Sequence, residues 1–258
     1  MNMPTSEIWI KNSRWQRLKA WMKNEQNSDI AIVYCHWFSW DSSNFTRSFA
    51  EHFWEKYLTC RFDFSGQWQS DWDFFDSSID NELDDLKAVI DYLKANHSFK
   101  RLILQWHSFG VAISTIYWWK NHLDGFISLS WEWDLKEAIN LEFNESQLSD
   151  FKEKWYAYYE NWSKDWEMDK LWIQFLENME KYSASEFIAD IPCPGLFIHW
   201  TDDDVIPSEQ TNNAFLKYIW NKDLHIIPWA DHSYWFYSWN DRTWEIIKII
   251  EEWIEAFN

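Results

Sequence analysis

Ser108, His232 and the run Asp202-Asp203-Asp204 are the residues of this chain whose types and positions could do nucleophilic chemistry. Ser108 lies in LILQWHSFG, where an apolar strand-like run passes directly into a helical pattern. The aspartates follow the apolar run GLFIHW, and His232 follows DLHIIP in the segment Trp229-Ala230-Asp231-His232-Ser233. A serine hydroxyl is a weak nucleophile until a base takes its proton. A histidine serves as that base when a carboxylate fixes its tautomer and stabilises the imidazolium as it forms. Any one of the 8 histidines could be purely structural. What carries the reading is the order Ser, Asp, His, each just past the end of a predicted strand. At this point Asp202, Asp203 and Asp204 remain competing choices for the acid.

The strands that must position these residues are legible as continuous apolar runs, expected where a sheet is covered on both faces. They are IAIVYCH (30–36), YLTCRFDF (57–64), RLILQW (101–106), FISLS (126–130), GLFIHW (195–200) and DLHIIPW (223–229). Helical patterns alternate with them: SNFTRSFAEHF, NELDDLKAVIDYLKANH, the stretch after Ser108, and TWEIIKIIEEWIEAF. Strand–helix alternation predicts an α/β fold with a mostly parallel, doubly wound sheet. Before it, EIWIKN and RLKAWMK read as a hairpin turning at Ser13-Arg14-Trp15. The segment 135–187 breaks the alternation. It is charged and aromatic, reads as two or three helices without a strand, and is expected to form a cap over the C-terminal edge of the sheet, where open α/β sheets bind ligands. One domain spanning 1–258 with that insertion is predicted.

Composition excludes several alternatives. A formal charge of -19 opposes a nucleic-acid backbone or an anionic membrane as partner. Cys35, Cys60 and Cys193 are odd in number and sit in or beside apolar runs, as reduced, buried thiols do. No cysteine–histidine spacing suggests a metal, and no cofactor is expected. The N-terminal segment lacks the pattern of a secretory signal, and no apolar run approaches ~18 residues. These features predict a cytoplasmic protein acting on a small molecule without stable membrane association, and they are compatible with a homodimer.

One feature of composition is anomalous. The chain has 24 Trp and 4 Gly, where an average domain of this length would have ~18 glycines. Tryptophan stands where turn grammar calls for glycine: SRWQR, HWFSW, the pair Trp118-Trp119, SWEWD and HWTDDD. We read this as a gene from a code in which UGA means glycine, translated as though UGA meant tryptophan. UGG codons at Trp37, Trp68 and Trp106 would contradict it. Deliberate Gly→Trp replacement and a truly Trp-rich protein are the rivals, and Trp244 and Trp253 in the last helix are expected to be genuine.

With those positions read as glycine, five segments resemble the α/β-hydrolase fold family, and in particular small bacterial carboxylesterases of the cinnamoyl and feruloyl esterase type. Trp106-His107-Ser108-Phe109-Gly110 resembles the Gly-x-Ser-x-Gly nucleophile elbow, which implies Ser108 as nucleophile. An indole at 106 is expected to clash with or distort that turn. His36-Trp37-Phe38 resembles the His-Gly-x loop, implying an oxyanion hole built from the backbone N–H groups of Phe38 and Phe109. His199 to Pro207 resembles the family's acid turn, and alignment on His199 and Pro207 selects Asp203. Trp229 to His232 resembles Gly-Ala-Asp-His, with His232 as general base. Arg61 to Trp72 resembles a glycine-rich loop that braces the elbow and the oxyanion loop. The resemblance implies a serine hydrolase of the carboxylic ester class that acts on small or hydroxycinnamoyl esters through an acyl-enzyme. Tyr156, Tyr158 and Tyr159 are candidate pocket walls, though cap core is the more common place for such residues. Monoacylglycerol lipase or acyl-peptide hydrolase activity is the alternative within enzymes. A non-catalytic ligand-binding relative is the alternative outside them, favoured if Trp37 and Trp106 are literal. Dehalogenase chemistry is disfavoured, because the elbow carries Ser108 and not an aspartate.

Overall fold

IAIVYC offers water no polar side chain on either side beyond one phenol, so it is stable as a strand only with both faces covered. In the computed structural model, which describes residues 6–23, 28–43, 45–121, 123–131, 135–164, 167–182, 187–232 and 241–256, it is the centre of the fold. It forms β3 (Ile30–Cys35). Ala31, Val33 and Cys35 enter one hydrophobic core, while Ile30, Ile32 and Tyr34 enter a second on the opposite face. That is the period-2 alternation of a strand buried between two layers.

Around β3 lie β1 (Ser6–Lys11), β2 (Arg17–Lys23), β4 (Leu58–Phe62), β5 (Arg101–His107), β6 (Gly125–Leu129), β9 (Gly195–Trp200) and β10 (Lys222–Ile227). They form an 8-stranded sheet in the order β1-β2-β4-β3-β5-β6-β9-β10. The pairs from β4 to β10 are parallel, and β2 runs antiparallel to both of its neighbours. Helices α2 (Ile79–Asn96) and α3 (Gly110–Lys120) cover the first core, while α1 (Phe45–Phe53) and the helix Thr243–Ala256 cover the second. The predicted strands and the predicted hairpin are therefore present. Among the described residues no helix is long and apolar enough to cross a membrane.

The cap departs from expectation. It holds α4 (Leu135–Glu142), α5 (Glu145–Lys154) and α6 (Ile173–Lys181), but also an antiparallel pair, β7 (Tyr156–Asn161) and β8 (Glu167–Trp172). The all-helical reading failed because α5 stops at Trp155, whose φ of 70° ends the helix in the left-handed region. Past it, Ala157 and Asn161 are buried while Tyr158 and Glu160 are exposed, a strand alternation hidden in a charged, aromatic stretch. Trp133 and the Trp118-Trp119 side chains lie outside the described residues.

Eight described residues other than glycine have positive φ, and five are tryptophans: Trp15, Trp68, Trp72, Trp155 and Trp229. Left-handed backbone costs a residue with a Cβ about 1–2 kcal/mol. Trp229 is 69% exposed, so its indole recovers little of that by packing. Trp244 is equally exposed but sits in the helix Thr243–Ala256, where Gly is a poor helix former. Trp229→Gly is therefore expected to raise the unfolding free energy by about 0.5–1.5 kcal/mol, and Trp244→Gly to lower it by about 0.5–1, as read from denaturant midpoints.

The hairpin turn is docked on α2 by carboxylates. Asp85 is fully buried and accepts from Asn12 (2.7 Å), Arg14 (2.7 Å) and the Ser65 N–H (2.8 Å). Glu82, buried beside it, accepts from Gln67 (3.0 Å), and burial together with Asp85 raises its pKa to about 8. The folded state thus holds a proton that the unfolded chain releases near 4.5. The stability this gives is complete below that value and lost as pH rises toward about 8. Glu82→Gln, which keeps the acceptor but cannot titrate, should flatten the decline in Tm between about pH 5 and about pH 8.

Candidate active site

Four turns at the C-terminal edge of the sheet converge. β5 ends at His107, and Ser108 turns the chain at φ 55° before α3 begins at Gly110. The Ser108 N–H donates to Leu129 O (3.0 Å), and Val111 and Ala112 return the first helical bonds to Ser108 O and Phe109 O. Gly110 is required here, because a Cβ would stand 2.9 Å from His36 O. Trp106 does not break the turn, contrary to expectation. Its ring is buried and stacks on Phe126 (centroids 5.5 Å, planes 8° apart). The cost lies elsewhere: its Nε1–H has no hydrogen-bond partner among the described residues, an omission worth about 1–3 kcal/mol.

The loop after β3 is held by polar contacts from beneath. His36 Nδ1 lies 2.8 Å from Trp37 O and Nε2 lies 3.3 Å from the Phe64 nitrogen, so Nδ1 donates and Nε2 accepts. Both bonds require the neutral ring, and burial pushes its pKa down to about 4. Asp63 accepts from the Ser42 N–H (3.0 Å), and Arg61 donates to Ser42 O (2.8 Å). Burial raises Asp63 to about 7. The Arg61–Trp72 loop thus braces the loop that carries Phe38, as its resemblance implied. Phe38 and Phe109 are buried, their rings 5.5 Å apart, and both line the cavity that Ser108 opens into.

Asp203 and His232 are brought together because their turns are tied to each other. The Thr201 N–H donates to Ile227 O (3.1 Å), that of Asp202 to Ala230 O (3.2 Å), and that of Trp229 to Thr201 Oγ1 (3.0 Å). His232 Nδ1 then lies 2.9 and 3.0 Å from the two oxygens of Asp203. Oδ1 also accepts from the N–H groups of Val205 (3.0 Å) and Ile206 (2.7 Å), and Oδ2 from Ser130 Oγ (2.6 Å). His199 Nε2 stands 3.4 Å from Oδ2. Burial alone would raise the Asp203 pKa, but the bonds from His199, His232 and Ser130 outweigh it and hold the carboxyl ionised, well below the usual range. Asp202 and Asp204, the two rivals, are exposed.

Ser108 and His232 line one cavity of about 770 Å³. His107 is stacked against His232 with centroids 4.8 Å apart. No hydrogen bond joins Ser108 to His232 among the described residues; the Trp37 ring lies 5.8 Å from that of His232 and 4.4 Å from that of His107. Of the three candidate tyrosines, only Tyr159 reaches the cavity. Its hydroxyl donates to Glu142 (2.6 Å) and its ring meets Phe38 at 5.4 Å. Tyr156 and Tyr158 belong to the other face of β7, with Lys170 over the Tyr156 ring at 4.4 Å and Tyr158 exposed. Sequence reasoning missed Glu142, Trp162 and Ser163 on the cavity wall and Ser130 beside Asp203. A helical reading of the cap concealed Trp162 and Ser163, which directly follow β7, whereas the position of Ser130 as the last residue of FISLS was a usable signal.

No protein-family model and no curated protein matches the chain. Solved structures do. Est1E from Butyrivibrio proteoclasticus, solved with ferulic acid bound, superposes with a TM-score of 0.81 at 20% identity, covering 96% of this chain and 98% of that one. An esterase domain from Rhodothermus marinus gives 0.72 at 18% identity, with 97% and 98% covered. A Pyrococcus furiosus esterase gives 0.73 at 16% identity, with 99% and 91% covered. Over nearly its whole length, then, this chain has the α/β-hydrolase fold.

Proposed function

We propose that the protein is a serine carboxylesterase, with Ser108 as nucleophile, His232 as general base and Asp203 as the acid that orients it. The observation that carries this reading is the contact of buried Asp203 (2.9 Å) with His232, which lines the same cavity as Ser108 at its left-handed elbow. With Nδ1 committed to Asp203, His232 has Nε2 left for proton transfer. Oγ of Ser108 attacks the ester carbonyl carbon as its proton passes to His232. The N–H groups of Phe38 and Phe109 receive the negative oxygen. Collapse breaks the bond to the alcohol oxygen, which takes the proton from His232. Water then adds to the acyl-enzyme by the same path, releasing the carboxylic acid and restoring Ser108.

The aromatic lining that does not depend on Trp37, with Phe38, Phe109 and Tyr159 beside the elbow, favours an aromatic acyl group. The likeness to Est1E, which holds ferulic acid, supports hydroxycinnamoyl esters as the substrate class. Three buried, unpaired cysteines fit the reducing cytoplasm.

Turnover of a p-nitrophenyl ester is expected to fall by at least about 10³-fold in Ser108→Ala and by about 10²- to 10⁴-fold in Asp203→Asn. Replacing Trp37 by Gly should raise kcat by withdrawing an indole from against the His107 and His232 rings. A folded chain, with and without Gly at 37, 68, 72, 106, 200 and 229, that shows no Ser108-dependent hydrolysis of any ester would replace this reading with a ligand-binding one.

A further inference from the structure

Ser130 sits one residue past β6 with its side chain fully buried, outside all the motifs that single out the site. Its backbone is pinned on both sides: its N–H donates to Ile198 O (2.9 Å), and that of Trp131 to Thr211 Oγ1 (2.9 Å). It is also strained, at φ 57°. The described non-glycine residues with positive φ that are not tryptophan are Ser39, Ser108 and Ser130, and all three stand at this site. Strain of this kind persists where the surrounding structure enforces it, commonly at functional positions.

The conformation aims Oγ between two groups, 2.6 Å from Asp203 Oδ2 and 3.5 Å from His232 Nδ1. Asp203 is held ionised and can only accept, so the single hydroxyl proton of Ser130 goes to Oδ2. We propose that Ser130 is a positioning residue of the hydrolytic machinery: its hydroxyl fixes Oδ2 and draws charge from it, setting how tightly His232 holds a proton. This rests on the Ser108–His232–Asp203 reading. Oδ1 is fixed by the two N–H groups of its own turn, so Ser130 supplies a restraint on Oδ2 that comes from another strand end and is independent of His232. Without it, the charge on Oδ2 falls more fully on the Nδ1–H of His232, which favours the imidazolium.

The other titratable groups around His232 are left chemically unchanged by a substitution at Ser130. They are the stacked His107, Glu142 from the cap, Asp41, Asp204 and Asp231 on the cavity wall, and His199 behind Asp203. A shift on changing Ser130 is therefore a measure of the hydroxyl.

Two variants separate that role from a merely structural one. Ser130→Ala removes the hydroxyl but keeps a Cβ in the strained conformation, whereas Ser130→Gly removes the hydroxyl and relieves the strain. Both are expected to move the acid limb of the kcat/KM–pH profile upward by about half a unit or more, and to lower kcat about tenfold with KM little changed. Ser130→Gly should do so without loss of Tm, and Ser130→Cys, which retains a weak donor, should recover part of the profile. A Ser130→Gly profile that superimposes on that of the parent, or losses that follow Tm and not the hydroxyl, would overturn the proposal. Ser108→Ala, assayed alongside, keeps the two questions apart. Undiminished turnover there removes the triad reading itself, while abolished turnover with an unmoved Ser130 profile removes only the role of Ser130.

Discussion

A carboxylate that is buried yet ionised is the constraint around which the C-terminal edge of this sheet is built. Removing Asp203 from water without compensation would neutralise it. It stays charged because donors arrive from three directions: the N–H groups of Val205 and Ile206 from its own turn, Ser130 from the end of β6, and His232 from the turn after β10. Each donor is delivered by a strand end, so the charge can exist only if β6, β9 and β10 are in register. That register is set by parallel pairing whose side chains fill a core on each face. Packing far from the cavity thereby determines the protonation state of a group in it.

The same logic runs on the other side of Ser108. The loop carrying Phe38 has no secondary structure to hold it, and it is placed by polar groups below: the two ring nitrogens of His36, and the Asp63–Arg61 grip on Ser42. The cap adds a further tie, with the Ser163 N–H donating to Ser39 O (2.8 Å) and its Oγ accepting from the Trp68 N–H (3.1 Å). Elbow, the loop after β3 and cap thus form one connected shell around the cavity. The buried carboxyls Asp63, beneath that shell, and Glu82, on α2, are raised to about 7 and about 8, while Asp203 is lowered. Those opposite directions follow from donor number: Asp203 gathers enough charged or backbone donors to outweigh burial, and Glu82 does not.

Much of this was legible in the sequence. Apolar runs buried on both faces leave no alternative to strands, so the sheet and the positions of Ser108, Asp203 and His232 beyond their strand ends could be read directly. The choice of Asp203 over Asp202 and Asp204 needed motif alignment, because three adjacent carboxylates differ only in where the turn points them. The β7–β8 pair was not legible. Its alternation is carried by tyrosines and charges, and the event that begins it is a left-handed residue written as Trp155. Tyr156 and Tyr158 were misplaced for the same reason, since only a strand reading assigns them to the face opposite Tyr159. Ser130 escaped because its significance lies in a contact 73 residues away in sequence. Tryptophan at left-handed backbone positions is the one place where local sequence and backbone disagree throughout, and positions such as Trp229 show glycine geometry under an indole.

The most direct test of the account is covalent. A fluorophosphonate reacts with a serine hydroxyl only where a base withdraws its proton and an oxyanion site accepts the resulting charge. Peptide mapping after incubation should find a single adduct, on Ser108, with labelling slowed strongly by His232→Ala. A folded chain that takes up no label, or that takes it up on another serine with His232 irrelevant to the rate, would contradict the account.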